Sequence, residues 1–262
     1  MARVTVDLNC DVGELPGEFG RQSDAELMRY VSSANIACGG HAGDEGIIRQ
    51  TISTAKSLGV SVGAHPGYSD RNGFGRTAVE LSTREITTLV AEQITRLRRI
   101  AEIQSLQITH VKPHGALYNQ AAISTDVAAA ICDAILAVDR RLLLYGLSGS
   151  PWLIAGRKSG LTTVSEVFAD RNYLPDGTLV PRTMPNALLV EPSLVARRVI
   201  EMVTGSFVVA VDGTRIPVLA ETVCIHGDHP QAVAISAAVR TALENAGIEV
   251  VSPPALASRE QG

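Results

Sequence analysis

Short apolar runs that end in Asp, Asn, His or Lys beside small residues recur along the chain. They are Val4–Asp11 (VTVDLNCD), Ala34–His41 (ANIACGGH), Val60–His65 (VSVGAH), Ile108–His114 (ITHVKPH) and Val223–Asp228 (VCIHGD). Helical patterns lie between them. Ser23 or Asp24 is placed to cap a helix reaching about Ser33, and Glu45–Leu58 reads as a second helix stopped by Gly59. Ser82-Thr-Arg-Glu85 has capping-box spacing and opens an amphipathic helix to about Ile103. Ser124 or Thr125 opens an Ala-rich helix to about Val138; strands at Leu142–Leu147 and Thr162–Phe168 flank a short helix at Gly149–Lys158. Helices at about Ser193–Thr204 and Gln231–Ala246 flank a last strand at Thr222–His226. Seven strands alternating with about seven helices predict an α/β fold, a TIM-like parallel βα barrel of seven strands. Tyr173–Val190 with Pro175-Asp176-Gly177, and Phe207–Leu219 with Asp212-Gly213, break the alternation and read as β-hairpin insertions over one end of the barrel.

Strand parity then says where the polar groups point. Successive side chains alternate faces, so Val4, Val6 and Leu8 face one way and Thr5, Asp7, Asn9 and Asp11 the other. The apolar face packs on helices, which leaves the polar one for the barrel interior. The same rule puts His65, then His110, Lys112 and His114, then Cys224, His226 and Asp228 inside. In a closed parallel barrel the C-terminal strand ends share one mouth, so distant residues converge there. A single inward His is commonly a hydrogen-bonded structural residue, and His110, one layer deeper, reads that way; His229 reads as a helix-start residue. Several ionisable groups at one mouth are different, because each costs several kcal/mol to bury unless it pairs, coordinates or reacts.

Composition narrows the classes. With 262 residues, 45% hydrophobic and 19% charged, the chain can bury a large core, and we expect one barrel domain over 1–250 with a polar tail at 251–262. The net charge of −4, from 23 basic and 27 acidic residues without a basic block, gives nucleic acid no footing. No apolar run is long enough to span a membrane, and the start lacks a signal-peptide pattern, so the expected location is the cytoplasm. Cys10, Cys38, Cys132 and Cys224 form no CxxC pair and read as buried thiols.

Six segments in order carry a resemblance: Asp7-Leu-Asn-Cys-Asp-Val-Gly-Glu14; Asn35-Ile-Ala-Cys-Gly-Gly-His-Ala-Gly-Asp44; Gly63-Ala-His-Pro-Gly-Tyr-Ser-Asp70 with Gly73-Phe-Gly-Arg76; Lys112-Pro-His-Gly-Ala-Leu-Tyr-Asn119; Glu166-Val-Phe-Ala-Asp-Arg171; and His226-Gly-Asp228. They resemble the LamB/YcsF family, the A-type subunits of 5-oxoprolinase, over about Val4 to Ile248. His229 departs from the pattern, which more often has Asn there. The resemblance implies a cytosolic three-component enzyme in which this chain works with two other subunits, B and C, to open 5-oxo-L-proline to L-glutamate with cleavage of ATP to ADP and phosphate. It also implies a fold similar to the polysaccharide and chitooligosaccharide deacetylases, amide hydrolases with an Asp/His/His metal site.

The residues suit such chemistry. A lactam carbonyl must be activated before water attacks, and its nitrogen must be protonated to leave. The chain has no GxxxxGK[ST] P-loop, so ATP activation is expected on a partner. We expect Asp11 or His65 as general base and His114 or His41 as general acid, with Lys112 and Arg76 holding substrate carboxylate or phosphate charge. Asn9, Asn35 and Asn119 are expected hydrogen-bond donors to substrate oxygen, and His226 a further substrate contact. Two alternatives stay open: a stand-alone metallohydrolase with a divalent ion on Asp11, His65 and His114, and a non-catalytic subunit that only positions substrate. Glu166, Asp170 and Arg171 are read either as an ion pair at the rim or as substrate contacts; self-association into a homo-oligomer is compatible with the sequence.

Overall fold

The computed structural model describes residues 4–229 and 231–253, so most of the tail expected at 251–262 lies outside the described residues. In chain order the elements are β1 (Thr5–Val12), α1 (Gly17–Leu27), β2 (Ser33–Ala37), α2 (Glu45–Leu58), β3 (Ser61–His65), α3 (Thr83–Ile103), β4 (Ile108–Val111), α4 (Gly115–Ile123), α5 (Thr125–Val138), β5 (Leu143–Leu147), α6 (Pro151–Lys158), β6 (Thr163–Phe168), α7 (Pro192–Gly205), β7 (Phe207–Val209), β8 (Arg215–Pro217), β9 (Thr222–His226), α8 (Ala232–Asn245) and β10 (Glu249–Val250). Seven of the strands close a parallel ring in the order β1-β2-β3-β4-β5-β6-β9, with β9 returning to β1 through Asp7↔Thr222 to Asp11↔His226. The two-residue β10, which no sequence pattern announced, adds to β1 beside the ring.

The alternation read from the sequence organises this ring. Val6, Leu8, Cys10 and Val12 are fully buried in the apolar shell between strands and helices. The interior is polar from the bottom up. The carboxylate of Asp7 accepts hydrogen bonds from Ser32, Ser33, Tyr145 and Thr222 at 2.6–2.9 Å, with no cation in direct contact among the described residues. Burial raises its pKa despite those four hydroxyls. One layer up, the ring of His110 stacks on Tyr145 at 4.4 Å and Nε2 meets Asn35 Oδ1 at 2.8 Å. Gly63 on β3 makes room for that ring: a Cβ there would lie 2.2 Å from it.

Predicted helix ends hold where capping chemistry is local. Asp44 Oδ1 accepts the Ile47 N–H at the start of α2, Gly59 ends it at φ 70°, and Ser82 with Glu85 forms the capping box of α3. The first helix is a correction. It runs from Gly17, behind an extended Pro16, and not from Ser23 or Asp24 to Ser33. Asp24 lies inside it, and its Oδ2 accepts the Gly13 N–H at 2.8 Å, tying the helix to the loop after β1. Helix α4 is absent from the predicted elements because its residues are apolar on nearly every face and show no helical stripe. Of the two insertions, the first turns back through antiparallel bridges Tyr173↔Leu179 and Arg171↔Leu188 and lines the barrel mouth. The second is the β7–β8 hairpin, which bonds to the first through Val211 N–H and Tyr173 O at 3.0 Å. No single helix among the described residues is long and apolar enough to cross a membrane, and all four cysteines are free and buried.

Asp24 yields a stability prediction. Burial is the main cause that lifts its carboxyl to about 7, against about 3.9 in an unfolded chain. A raised folded pKa means protons are taken up on folding, so this group's contribution falls as pH rises from about 4 to 7. Asp24→Asn keeps an acceptor for Gly13 without the charge. In urea unfolding it should match the parent near pH 4 and exceed it increasingly up to pH 8, whereas Asp24→Ala, which orphans the Gly13 N–H, should lose about 1–3 kcal/mol near pH 4.

Candidate active site

The floor of the mouth is built around a buried ammonium. Lys112, just past β4 and 2% exposed, places Nζ 2.9 Å from Asp11 Oδ1, 3.0 Å from Glu166 Oε1, 3.2 Å from Asn9 Oδ1 and 2.8 Å from Cys224 Sγ. Burial alone would strip its proton, but Asp11, Cys224 and Glu166 outweigh that and push its pKa well up. In return, although burial opposes the charge of Asp11, His65 and Lys112 hold its carboxyl well below the usual range. Asn9 and Asn35, expected as substrate donors, sit beneath this pair. Asn35 Nδ2 donates to Asn9 Oδ1 and Asp11 Oδ1, each at 2.8 Å, and Asn9 Nδ2 donates to Glu166 and Thr222. Both are fully buried and outside the cavity lining.

Above the floor a second cluster gathers three imidazoles on one carboxylate. Gly13, at φ 72°, turns the chain after β1 so that Glu14 reaches inward. His41 comes from the β2–α2 loop, His65 from the end of β3 and His114 from the N-cap of α4. The Glu14 Oε1 atom lies 3.0 Å from His41 Nε2, 3.1 Å from His114 Nδ1 and 3.6 Å from His65 Nε2; the last two nitrogens are 3.0 Å apart. His41 stacks flat on His114 at 3.7 Å. Gly75 and Gly115 let the Phe74 loop close over α4, where Gly75 O accepts the Ala116 N–H and a Cβ on Gly115 would lie 2.6 Å from that oxygen. Burial lowers the pKa of His41 and takes His65 to about 3, while Glu14, despite its own burial, is held well below the carboxylate range by His114 and His41.

Both clusters open into a cavity of about 580 Å³ lined by Asp11, His65, Lys112, His114, Asn119 and His226, with Arg76, Arg171 and Arg182 on its walls. Arg76 and Arg182 share Asp228, at 2.5 and 3.3 Å. Glu166, Asp170 and Arg171 do not pair with one another: Glu166 goes to Lys112, Asp170 holds His226 Nδ1 at 2.9 Å, and Arg171 donates to Val180 O at 2.6 Å with its buried Nε unpartnered. Arg171 and Arg182 on the cavity wall, and Glu14 buried behind His65 and His114, are the groups to which the sequence patterns give no firm role. Of the expected Asp11–His65–His114 metal triad, His65 and His114 gather with Glu14 and His41, one potential donor atom from each of these four lying within 4.8 Å of the others, while Asp11 groups with Cys224 and His226. A second grouping of Asp11, Cys224 and His226 already faces the Lys112 ammonium, which repels a further cation.

The LamB/YcsF family model matches residues 6–258. This chain belongs to that family. The LamB/YcsF chain is 51% identical over 247 residues to a protein from Rhodopseudomonas palustris named as the A subunit of 5-oxoprolinase, covering 94% of this chain and 97% of the relative. It superposes on the crystal structure of a lactam utilization protein from Thermus thermophilus with a TM-score of 0.88 at 44% identity, covering 95% of this chain and all of that one. At the level of fold alone it resembles a peptidoglycan deacetylase from Bacillus subtilis (TM-score 0.51, 12% identity, 99% and 92% covered), which agrees with the deacetylase-type barrel expected from the sequence.

The floor of this LamB/YcsF site has a measurable energetic signature. Lys112→Met leaves Asp11 and Glu166 facing each other without a counter-ion, and the expected loss is roughly 3–5 kcal/mol near pH 8. The deficit relative to the parent should shrink in acid, as the stranded carboxylates take up protons; urea midpoints at pH 8 and pH 5 measure it.

Proposed function

We propose that this chain is the A subunit of a cytoplasmic, ATP-dependent 5-oxoprolinase, a single barrel domain that hydrolyses the lactam of 5-oxo-L-proline to L-glutamate. Partner chains of the B and C type would transfer the terminal phosphoryl group of ATP to the lactam oxygen. The observation that carries this reading is the state of Asp11. Its Oδ1 is committed to Lys112 and Asn35, while Oδ2 lies 3.5 Å from His65 Nε2 at the cavity wall. A carboxyl held so low is a weak base and, once protonated, a strong acid. It suits an electrophile that has been activated beforehand and a nitrogen that must be protonated to leave. An unactivated amide would need a stronger base.

In this scheme water adds to the carbon of the phosphorylated ring and gives its proton to Asp11. The ring nitrogen takes that proton, and as the C–N bond opens it takes the hydroxyl proton of the adduct as well, leaving a free amine and an acyl phosphate; a second water then hydrolyses the acyl phosphate to the new carboxylate of glutamate and inorganic phosphate. Lys112 and Asn35 orient Asp11 through its Oδ1, and His65, His41 and His114 complete the surrounding shell with Glu14. Arg76, Arg171 and Arg182, with only Asp228 as their direct carboxylate partner among the described residues, offer net positive charge for the substrate carboxylate or the phosphoryl group. Asn119 and His226, on the cavity wall, are the polar contacts for the rest of the ring.

Reconstitution with its partner chains tests the reading. Glutamate and phosphate should form from 5-oxoproline and ATP only when this chain is present. Asp11→Asn should cut that turnover by about 10²–10⁴-fold, the range for one proton-transfer group. Glutamate released by this chain alone without ATP would instead support a stand-alone amidase, and full turnover by Asp11→Asn and His114→Ala would support a purely positioning role.

A further inference from the structure

The imidazoles His65 and His114 pose a proton-counting problem. His65 Nδ1 lies 2.6 Å from Lys112 O and His114 Nε2 lies 2.8 Å from Phe74 O. A carbonyl oxygen only accepts, so in its neutral form, the form that can ligate an ion, each ring commits its one N–H there, and the tautomer follows from that partner. The remaining nitrogens, His65 Nε2 and His114 Nδ1, therefore present lone pairs to each other at 3.0 Å, and both face Glu14 Oε1. His41 can place its single proton on that oxygen through Nε2 at 3.0 Å, but it has none for the other two rings. Three electron-pair donors converge in a pocket wall where all three side chains are nearly buried.

From this juxtaposition we infer that Glu14 Oε1, His65 Nε2 and His114 Nδ1 bind a divalent transition-metal ion of the zinc class, with His41 donating to Glu14 to fix its orientation. Separations of 3.0, 3.1 and 3.6 Å bracket the roughly 3.3 Å edge of a tetrahedron whose ligands lie about 2.0–2.1 Å from a central ion. Two imidazoles and one carboxylate are a ligand set that leaves a position open, and His65 and His114 line the cavity. Each ligating ring is anchored through its other nitrogen to a main-chain carbonyl, the usual outer support of a metal-bound histidine. The Lys112 ammonium, by contrast, is held by the acceptors below and reaches none of these three atoms within bonding distance. When bound, such an ion supplies a Lewis acid at the cavity wall. The inference extends the lactam reading, yet ion binding itself requires neither substrate nor ATP.

The test is ion binding by the full chain on its own. After chelator treatment and dialysis against Zn²⁺ or Co²⁺, elemental analysis should find one ion per chain, and the Co²⁺ form should show visible d–d absorption. His114→Ala and the shape-conserving Glu14→Gln should weaken binding by at least about 10–100-fold. Asp11→Asn should keep the ion while losing reconstituted turnover, which separates this ligand set from one that includes Asp11. Content well below one ion per chain in the parent protein with no Co²⁺ band, or an ion lost in Asp11→Asn but kept in Glu14→Gln, overturns the inference. Neither result bears on whether the complex opens 5-oxoproline, so the two readings fail separately.

Discussion

The barrel depends on one ammonium. Placing Asp11 and Glu166 in the interior of a closed sheet, both at 4% exposure or less, is tolerable only because Lys112 brings a positive charge to 3.0 Å or nearer to each. Its position follows from the strand phase. β4 carries His110 inward and Val111 outward, so the next residue returns to the axis at the level of the C-terminal strand ends, where Asp11 and His226 stand in register on β1 and β9. The asparagines beneath it supply the hydrogen bonds that a carboxylate would otherwise take from water. Asp7 at the bottom meets the same problem differently, with hydroxyls in place of a cation, and its pKa rises while that of Asp11 falls.

The upper cluster is assembled by loops, and small residues make the loops possible. Glu14 turns inward after Gly13; the Phe74 carbonyl that anchors His114 reaches α4 because Gly75 and Gly115 remove two side chains from the contact. The interior ladder is thus set by strand alternation, but the imidazole cluster is set by backbone turns that have no periodicity. That difference explains what was legible. Parity placed Asp7, Asn9, Asp11, His65, His110, Lys112, Cys224 and His226 inside the barrel, and the alternation of patterns yielded seven ring strands.

Parity could not place Glu14, since a residue two past a strand end has no phase. Nor could it show that Asn9 and Asn35 serve Asp11 and Lys112 from beneath, because inward orientation does not say at which height a side chain ends. Helix α4 was hidden for a related reason: it is packed by α5, α6 and the ring, so it has no polar stripe to betray its period. The first helix was misplaced because Asp24 looks like an N-cap when read locally, whereas its carboxylate serves Gly13, eleven residues back. On the Arg wall, Arg76 and Arg171 were legible as candidates, but Arg182 was not, because it lies on the first insertion, whose path over the mouth is set by Tyr173 and Val180 and not by any motif.

Charge balance also constrains how the two clusters divide the work. His65 is the hinge between them, 3.5 Å from Asp11 Oδ2 and 3.6 Å from Glu14 Oε1. Its Nδ1 lies 2.6 Å from the main-chain carbonyl of Lys112, which ties the ring to the backbone that carries the ammonium. Because Lys112 keeps Asp11 ionised, the lower cluster arrives at the reaction with a fixed negative group and no spare proton. With both rings neutral, as the proposed ion site requires, His65 and His114 commit their N–H groups to backbone carbonyls, and these two rings bring lone pairs and no spare proton either. In the lactam opening proposed above, the proton that frees the ring nitrogen then originates in the attacking water, and the group that carries it lies between water and nitrogen. Asp11, with one oxygen anchored and the other at the cavity wall, is the acceptor that the proposal assigns to that transfer.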